Sequence, residues 1–436
     1  MSLKRRTILQ MIPAVAAMSI APALRSQASH HVVVVGGGFA GATVAKYIKM
    51  WSAADPRVNM RVTLVEPRVA HVSCIMSNLV LNGQLKIRDL SFDYAALQGK
   101  YGVEVLQDRV QRISKDGPEI KLKNRGWLAY DSLVVATGIA FDPIEGLDDP
   151  RKTPHAWIAG GQTNLLRNQI RDIPERGTFV MSIPDKPYRC PPGPYERACL
   201  VADILQRRGS GYRVIVLDAN NGIQAEKETF TRAFSELYGD IIDYRPLQRV
   251  VGVDQNSNYV HTKILTADGQ ETGGEDAVYG DVLNIIPRHG APRLLVNSGL
   301  TDGGRWAPVD PTTYGSSLDR FPGVYVIGDS QATGQPKSGH MANAQAKICA
   351  DAILRRAAGD SLDSDERLDN LTTNSACFSP INASEASWLT AVFRYNRDTG
   401  NMGLVPGSLG EAHNWNSENY RDMFSWSENL FADTFK

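Results

Sequence analysis

Three closely spaced glycines, Gly36, Gly38 and Gly41, form the pattern G-x-G-x-x-G. A buried-strand run at residues 31–35 precedes them, and a helical stretch at residues 42–51 follows. In such a unit the first glycine allows a tight turn, the second lets the backbone approach a pyrophosphate, and the third lets helix and strand pack closely. The alternative is a glycine-rich turn with only a structural role. The order of strand, glycines and helix favours dinucleotide binding.

Polar or small residues end three further predicted strands. One strand ends at Glu66, which is placed to accept hydrogen bonds from a ribose. A second runs into Thr137 and Gly138, and a third, late in the chain, closes on Gly328 and Asp329. This trio of segments, in this order, resembles the flavoprotein disulfide-reductase superfamily. The resemblance implies that the cofactor is FAD, that Thr137 and Gly138 pass close to it, and that Asp329 contacts its ribityl or phosphate portion.

The middle of the chain repeats the nucleotide fold without its glycines. A strand at residues 177–183, a helix at 197–207 and a strand at 212–217 preserve the pattern, but the loop after the first strand is rich in proline. Proline has no N–H group and a fixed φ, so this loop cannot form the same phosphate-binding turn. The superfamily usually binds NAD(P)H here. The sequence therefore predicts a second nucleotide fold that does not bind nicotinamide.

The five cysteines are Cys74, Cys190, Cys199, Cys349 and Cys377. They form no C-x-x-C pair, which argues against thioredoxin-type chemistry and the common zinc sites, and we expect no metal site. Cys199 lies within a predicted helix and Cys349 follows another helical stretch, so both are predicted to be core residues.

The chain resembles, over essentially its whole length after the N-terminal segment, the flavoprotein subunits of flavocytochrome c sulfide dehydrogenase, which are relatives of sulfide:quinone oxidoreductase. Besides the first strand and glycines, the resemblance rests on these segments: residues 71–74 with Ser77 and Asn78, residues 154–157, residues 189–197, residues 336–339, and residues 433–435. One departure is visible, because His340 stands where an aromatic residue such as tyrosine is expected.

The resemblance implies roles for three cysteines. Cys74 corresponds to the position that binds FAD covalently through a thioether, although a small buried apolar residue is the alternative. Cys190 and Cys377 correspond to a redox-active disulfide beside the flavin. Sulfide would attack this disulfide and leave a persulfide on one cysteine and a thiolate on the other. A purely structural disulfide is the alternative.

Two charged residues are candidates for supporting roles. Glu196, in the same loop as Cys190, could handle protons, and the alternative is a surface glutamate that caps the following helix. Lys337, ahead of a helical stretch that starts at Gly339, could stabilise negative charge on reduced flavin, and the alternative is an ordinary solvated lysine.

The electron acceptor is expected on another chain. The sequence has no C-x-x-C-H and so no site for its own c-type haem. The resemblance implies a separate c-type cytochrome subunit. A quinone is the alternative acceptor, but the tail from His413 to Lys436 carries four acidic residues and is a poor ligand for anionic lipid. We expect this tail to pack against the FAD domain or a partner, with Trp426 near the flavin.

Composition and the N-terminus indicate an exported globular protein. The 436 residues carry 47 basic and 47 acidic side chains, and this balance gives no support to nucleic-acid binding. Arg5 and Arg6 precede a short apolar run, which predicts a twin-arginine signal peptide and a periplasmic location. An uncleaved basic tail is the alternative. No later segment predicts a transmembrane helix.

The predicted fold class is α/β, with two Rossmann-like dinucleotide-binding domains of the glutathione-reductase type and a C-terminal α+β domain. The predicted divisions are a signal peptide at 1–28, an FAD-binding domain at 30–157 and 295–356, a second nucleotide fold at 158–294, and a C-terminal domain at 357–436. The predicted function is FAD-dependent sulfide oxidation. The alternative from another class is a non-catalytic periplasmic flavoprotein that reactivates a sulfur-oxidation system.

Overall fold

The computed structural model describes residues 29–436, so the predicted signal peptide lies outside the described residues. Its first sheet has five parallel strands, in the order Val324–Val326, Ser132–Val135, His30–Val35, Met60–Val65 and Glu104–Leu106. The central strand is buried on both faces, as parallel sheets require.

Both faces of this first sheet are covered. Val32 and Val34 pack with the helices Phe39–Ser52 and Gly339–Ala358. Val33 and Val35 point the other way and pack with a small antiparallel sheet of strands Val110–Ile113, Glu119–Leu122 and Gly126–Ala129. Alternate residues of one valine run therefore contribute to two separate cores.

The second sheet repeats this arrangement. Its four parallel strands lie in the order Ile242–Pro246, Arg213–Asp218, Thr178–Ile183 and Val282–Asn284. The helices Gly161–Arg171 and Gly193–Gln206 cover one face, and the antiparallel strands Gln248–Asp254, Tyr259–Leu265 and Glu271–Tyr279 cover the other.

The C-terminal region adds an antiparallel sheet of strands Thr372–Pro380, Ala386–Asn396, Asn401–Leu404 and Gly410–Glu411, with Thr372–Pro380 at its edge. The last helix, Ser417–Phe435, packs on the first helix of the chain and on this sheet. The remaining strands are Ala70–Val72, Ser91–Asp93, Ala140–Phe141 and His289–Gly290. The shorter helices are Ser77–Val80, Ile87–Leu90, Ala95–Gly99, Lys227–Arg232, Ala233–Leu237, Arg293–Ser298, Gly328–Ser330 and Asp365–Asn370.

The predicted fold class is confirmed: the structure is a mixed α/β fold built on two parallel sheets, with an antiparallel sheet in the C-terminal region. Two predicted helix starts were wrong, because the helix expected from residue 42 begins at Phe39 and the helix expected from residue 197 begins at Gly193. Proline in a first helical turn costs no intrahelical hydrogen bond, so Pro194 is compatible with this early start. Cys190 therefore lies three residues before a helix. No helix within residues 29–436 is long and apolar enough to cross a membrane.

Candidate active site

A cavity of about 850 Å³ lies at the carboxyl ends of the first sheet's strands. All but two of the predicted cofactor residues are among those that line it: Gly36, Gly38, Glu66, Cys74, Thr137, Gly138, Gly328 and Asp329. Gly41 supports the wall from behind, because a Cβ there would lie 1.8 Å from the carbonyl oxygen of Gly36. Gly36 itself has a φ of +101°, and a Cβ on it would lie 2.6 Å from the carbonyl oxygen of Ala136.

The polar groups of this cavity suit a ligand with sugar and phosphate groups. Glu66 is buried, and its carboxylate accepts hydrogen bonds from the Gly37 N–H at 2.9 Å and from the Arg68 N–H at 3.1 Å. The hydroxyl of Thr137, one carboxylate oxygen of Asp329 and both ring nitrogens of His71 are buried without a hydrogen-bond partner among residues 29–436. Because buried polar groups normally have partners, these atoms mark where a bound group would contact the wall. The residues therefore fit FAD.

Lys337 does not line this cavity. Its ammonium donates hydrogen bonds to the carbonyl oxygens of Asp329 and Gln331, both at 2.8 Å, and lies 3.8 Å from the ring centre of Trp306. Burial lowers the pKa of Lys337 to about 8. The alternative of a solvated lysine is wrong, since the side chain is buried. The structure gives Lys337 the role of holding the loop that carries Asp329.

A second, smaller cavity of about 60 Å³ contains three of the five cysteines. Cys74, Cys190 and Cys377 line it together with Glu196. Apolar side chains form much of the remaining wall: Ile75, Met76, Leu79, Trp157, Phe378, Met423 and Trp426. Trp426 lines this cavity but not the FAD-sized one, so its predicted place near the flavin stays a prediction. All five cysteines are free thiols, and Cys199 and Cys349 are buried core residues, as predicted.

The two cavities adjoin. Cys74, Arg189 and Gly339 line both of them. Cys74 therefore stands at the boundary between the space that fits FAD and the space that contains Cys190 and Cys377.

The loop around Cys190 is held in one conformation. Cys190 has a φ of +60°, which is rare for a residue other than glycine. Its N–H donates to the carbonyl oxygen of Lys337 at 2.8 Å, and its carbonyl accepts from the Gly193 N–H at 3.0 Å. A Cβ on Gly193 would lie 2.8 Å from the Cys190 sulfur. The strained backbone and the close glycine together fix the direction of the thiol.

Asn78 connects the Cys74 loop to the helix that follows Cys190. Its amide donates to the Glu196 carboxylate at 2.9 Å and to the Gly193 carbonyl at 3.2 Å. Its side-chain oxygen accepts from the Arg197 guanidinium at 3.0 Å. Arg197 is fully buried and also donates to Asn284 at 2.9 Å. Asn78 and Arg197 lie in the segments that carry the resemblance, but no local sequence pattern predicts this connection.

The buried position of Glu196 changes its acid–base behaviour. Desolvation raises the pKa of its carboxyl to about 8, although the hydrogen bond from Asn78 and the charge of Arg197 oppose this shift. The alternative of a surface glutamate is therefore wrong. Burial and the neighbouring Cys377 raise the pKa of Cys190, and burial with nearby Glu226 raises the pKa of Cys377 to about 12. Glu196 is protonated at neutral pH and can donate a proton to a thiolate in this cavity.

Glu226 is a second buried carboxyl that the sequence did not indicate. It is fully buried, with a φ of +48°, and its carboxylate accepts a short hydrogen bond from Ser379, two residues beyond Cys377. Desolvation raises its pKa to about 7. Glu226 precedes a short helix, and nothing in the sequence around it indicates that its side chain is buried.

The second nucleotide fold uses its strand-end acid internally. Asp218 ends the second strand of that sheet, the place of a ribose-binding acid in a working nucleotide site. Its buried carboxylate accepts hydrogen bonds from Tyr195 at 2.9 Å, Tyr244 at 2.8 Å and the Asn220 backbone at 2.9 Å. This carboxylate is therefore committed to protein partners, and the neighbouring loop lacks the glycine turn.

We expect NADH and NADPH to leave the flavin of the loaded protein oxidised. Neither the proline-rich loop nor the committed Asp218 offers a nicotinamide nucleotide the contacts it needs. Anaerobic absorption spectra measured during addition of each nucleotide check this. Dithionite is the positive control, and rapid bleaching by NADH would contradict the expectation.

Comparison with known proteins first gives the class. Residues 30–162 match the pyridine nucleotide-disulphide oxidoreductase family, and residues 163–287 match the central region of the sulfide dehydrogenase [flavocytochrome c] flavoprotein chain. The sulfide:quinone oxidoreductase structure from Aquifex aeolicus superposes with a TM-score of 0.74 at 17% identity, covering 93% of this chain and 92% of that one.

Curated relatives then give the family. The chain is 55% identical over 49 residues to the sulfide dehydrogenase [flavocytochrome c] flavoprotein chain of Chlorobaculum thiosulfatiphilum, an alignment covering 11% of this chain and 92% of that sequence. It is 24% identical over 314 residues to mitochondrial sulfide:quinone oxidoreductase of Mus musculus, covering 69% of this chain and 65% of the mouse protein. The chain belongs to the family of flavocytochrome c sulfide dehydrogenase flavoprotein chains, as the resemblance predicted.

Proposed function

We propose that this chain is an FAD-dependent sulfide dehydrogenase that passes electrons to a c-type cytochrome. The observation that carries the proposal is the convergence of Cys74, Cys190 and Cys377 on one small cavity that adjoins the FAD-sized cavity. The family membership supports sulfide as the substrate, because the relatives are named for it.

Cys190 and Cys377 are free thiols in this structure, and the proposed reaction starts from the oxidised protein, in which a disulfide joins them. Hydrosulfide attacks one sulfur, the S–S bond breaks, and the products are a persulfide on one cysteine and a thiolate on the other. A second hydrosulfide removes the outer sulfur of the persulfide as a disulfide anion, which leaves two thiols or thiolates. Re-forming the disulfide releases two electrons, and FAD, when bound, supplies the two-electron acceptor.

The protein's own residues prepare this reaction. The strained Cys190 loop and Gly193 fix one sulfur, and the edge strand Thr372–Pro380 carries the other. The apolar wall keeps bulk water away, which favours the reaction of a small uncharged or singly charged nucleophile. Glu196 lies in the same cavity, and its raised pKa lets it supply a proton to the leaving thiolate at neutral pH.

The acceptor and the location are further parts of the proposal. The name of the Chlorobaculum relative supports a cytochrome partner, whereas the names of the mouse and Aquifex relatives include a quinone. The paired Arg5 and Arg6 support export by the twin-arginine route to the periplasm. Cell fractionation tests the location.

The central test is the absorption spectrum of the purified protein before and after anaerobic sulfide. Sulfide should bleach the flavin, and oxidised cytochrome c should restore its colour while becoming reduced. Parallel reoxidation by a soluble quinone compares the two acceptors. A flavin that sulfide leaves oxidised would instead favour the non-catalytic flavoprotein.

Replacing Glu196 by Gln should slow sulfide-driven reduction roughly 100-fold at pH 7, the lower range for losing a general acid. The wild-type rate should fall as pH rises through about 8, where Glu196 ionises, whereas the variant should show no such step. Stopped-flow rates are compared as the ratio of wild type to variant at each pH, because the ionisation of sulfide itself cancels in that ratio.

The stability of the fold should also depend on the ionisation of Glu196. A carboxyl whose folded pKa is raised stabilises the fold fully below its ordinary pKa of 4.5 and loses that contribution as pH rises from there to the folded value, about 8. Thermal unfolding of the Gln variant should therefore lack this loss of stability between about pH 4.5 and pH 8. Glu175→Gln, at an exposed glutamate, is the matched control.

In the stopped-flow experiment, a ratio of wild-type to Glu196→Gln rates that does not vary with pH would remove Glu196 from the mechanism.

A further inference from the structure

Three polar contacts join residues 335–340 to the edge strand that carries Cys377. These residues precede the helix Gly339–Ala358 and include its first turn. Gln335 donates to Thr373 at 2.5 Å, and the hydroxyls of Ser338 and Ser375 lie 3.0 Å apart. The third contact runs from the Ala376 N–H to Nδ1 of His340 at 3.0 Å. It lies directly beside Cys377, and of these three contacts it alone contains a group that titrates near neutral pH.

The Ala376 amide depends on this contact. The strand Thr372–Pro380 is at the edge of its sheet, so the outward N–H groups find no partner in a neighbouring strand. His340 supplies the missing acceptor. An amide that loses its acceptor in a partly buried place is unfavourable, so the strand near Cys377 would shift or open if the ring could no longer accept.

His340 can accept only while it is neutral. Nδ1 must keep its lone pair for the Ala376 N–H, which fixes the ring proton on Nε2. Adding a second proton makes Nδ1 a donor that faces another donor. His340 and Cys377 line the same cavity, so this change occurs next to the reactive thiol.

We propose that neutral His340 is a positioning residue for Cys377: it holds the sheet edge beside that thiol through the Ala376 amide, and releases it when protonated. The role rests on the proposed function only in assigning Cys377 to the reaction.

The surroundings keep the ring neutral at pH 7. Burial lowers the pKa of His340 below its usual 6.5, against the hydrogen bond with the Ala376 backbone, which raises it. Lys347 on the same helix adds to the lowering, and Asp433 from the last helix opposes it. The other titratable groups that share the cavity come from the Cys74 loop, the loop and helix after residue 188, and the edge strand: Cys74, Arg189, Cys190, Glu196 and Cys377. Glu196 is protonated in acid, so it adds no negative charge that would retain the imidazolium.

Two substitutions separate the acceptor from the titration. The side-chain oxygen of Asn in His340→Asn takes the place of Nδ1 and cannot titrate. His340→Gln puts its amide at the place of Nε2 and leaves the Nδ1 position without an acceptor. Both keep a polar, uncharged side chain at the same site.

Hydrogen exchange of the flavin-loaded protein, followed by mass spectrometry over residues 372–380, is the test. At pH 7 the Ala376 amide should exchange roughly tenfold faster in His340→Gln than in wild type, which corresponds to about 1.4 kcal/mol, whereas His340→Asn should match wild type within about twofold. As pH falls below 6.5, and after correction for intrinsic exchange, wild type should approach His340→Gln while His340→Asn stays protected.

Equal exchange in wild type and His340→Gln at pH 7 would overturn the proposal. So would an identical acid transition in wild type and His340→Asn, since the titrating group would then lie elsewhere. This second comparison remains decisive if His340→Gln does not fold. Failure of sulfide to reduce the wild-type flavin would refute the proposed function and leave the exchange result unchanged.

Discussion

Replacing either Cys190 or Cys377 by serine should abolish sulfide-driven flavin reduction while the protein stays folded and loaded with FAD. Serine cannot form the disulfide that hydrosulfide attacks, so the first bond-breaking step has no substrate bond. The rate constant should fall by at least about a thousandfold, as for other losses of a residue that forms a covalent bond with the substrate. Anaerobic stopped-flow absorption, measured well below the melting temperature, gives this rate directly.

A purely structural disulfide predicts a different pattern. The two cysteines are 187 positions apart, and closing a loop of that length stabilises a fold by about 5 kcal/mol on the entropic model. Serine variants of a structural bridge would melt at lower temperature and still reduce their flavin at nearly the normal rate. Thermal unfolding measured beside the stopped-flow rate distinguishes the two roles.

Cys349→Ala is the matched control, because this thiol is buried in the helix Gly339–Ala358 and lines neither cavity. It should lose some stability through the space left in the core and keep its reduction rate. A folded Cys190→Ser protein with the wild-type rate would exclude Cys190 from catalysis.

The first nucleotide fold was predictable because its signals are local. A valine run, a glycine turn and the acid Glu66 follow each other within 40 residues, and each has a direct physical reason in backbone geometry. The structure places these residues around one cavity with Thr137 and Asp329. Those two come from distant segments, but each closely follows the end of a parallel strand, and parallel strands end at the same edge of a sheet.

The cysteine cavity was predictable only through the resemblance. Cys190 follows a strand of the second sheet, and Cys377 lies on the edge strand of a separate antiparallel sheet. No spacing or periodicity relates these positions, since only the packing of whole domains brings them together. The burial of Glu196 has the same origin: Asn78, from 118 positions away, provides its hydrogen bond.

Lys337 shows where reasoning from neighbours in sequence fails. Its place before a helix suggested an ammonium directed at the cofactor, as the dipole of a helix would favour. The side chain instead turns back to two carbonyl groups of the loop at Asp329 and to the face of Trp306. A lysine has four rotatable side-chain bonds, so its backbone position alone does not determine where the charge lies.

We propose that Cys74 holds FAD covalently, and Cys74→Ser should then convert FAD from a permanently attached group into a dissociable one. Wild-type protein that is denatured and precipitated should keep essentially all of its yellow colour in the pellet, whereas the variant should release it to the supernatant. The reason is the position of Cys74, which alone among the five thiols lines both the FAD-sized cavity and the cysteine cavity. Absorbance of pellet and supernatant, with the mass of the intact chain, measures the attachment.

The folded Cys74→Ser variant should still bind FAD, because Glu66, Thr137 and Asp329 keep their places around the cavity. This separates attachment from binding: Cys74→Ser loses the covalent bond alone, whereas Glu66→Ala should lose occupancy through the missing hydrogen bonds at the ribose position. Cys349→Ala serves again as the control and should retain bound colour after denaturation. Free FAD in the supernatant of denatured wild-type protein would contradict the thioether and return Cys74 to the role of a small residue between two cavities.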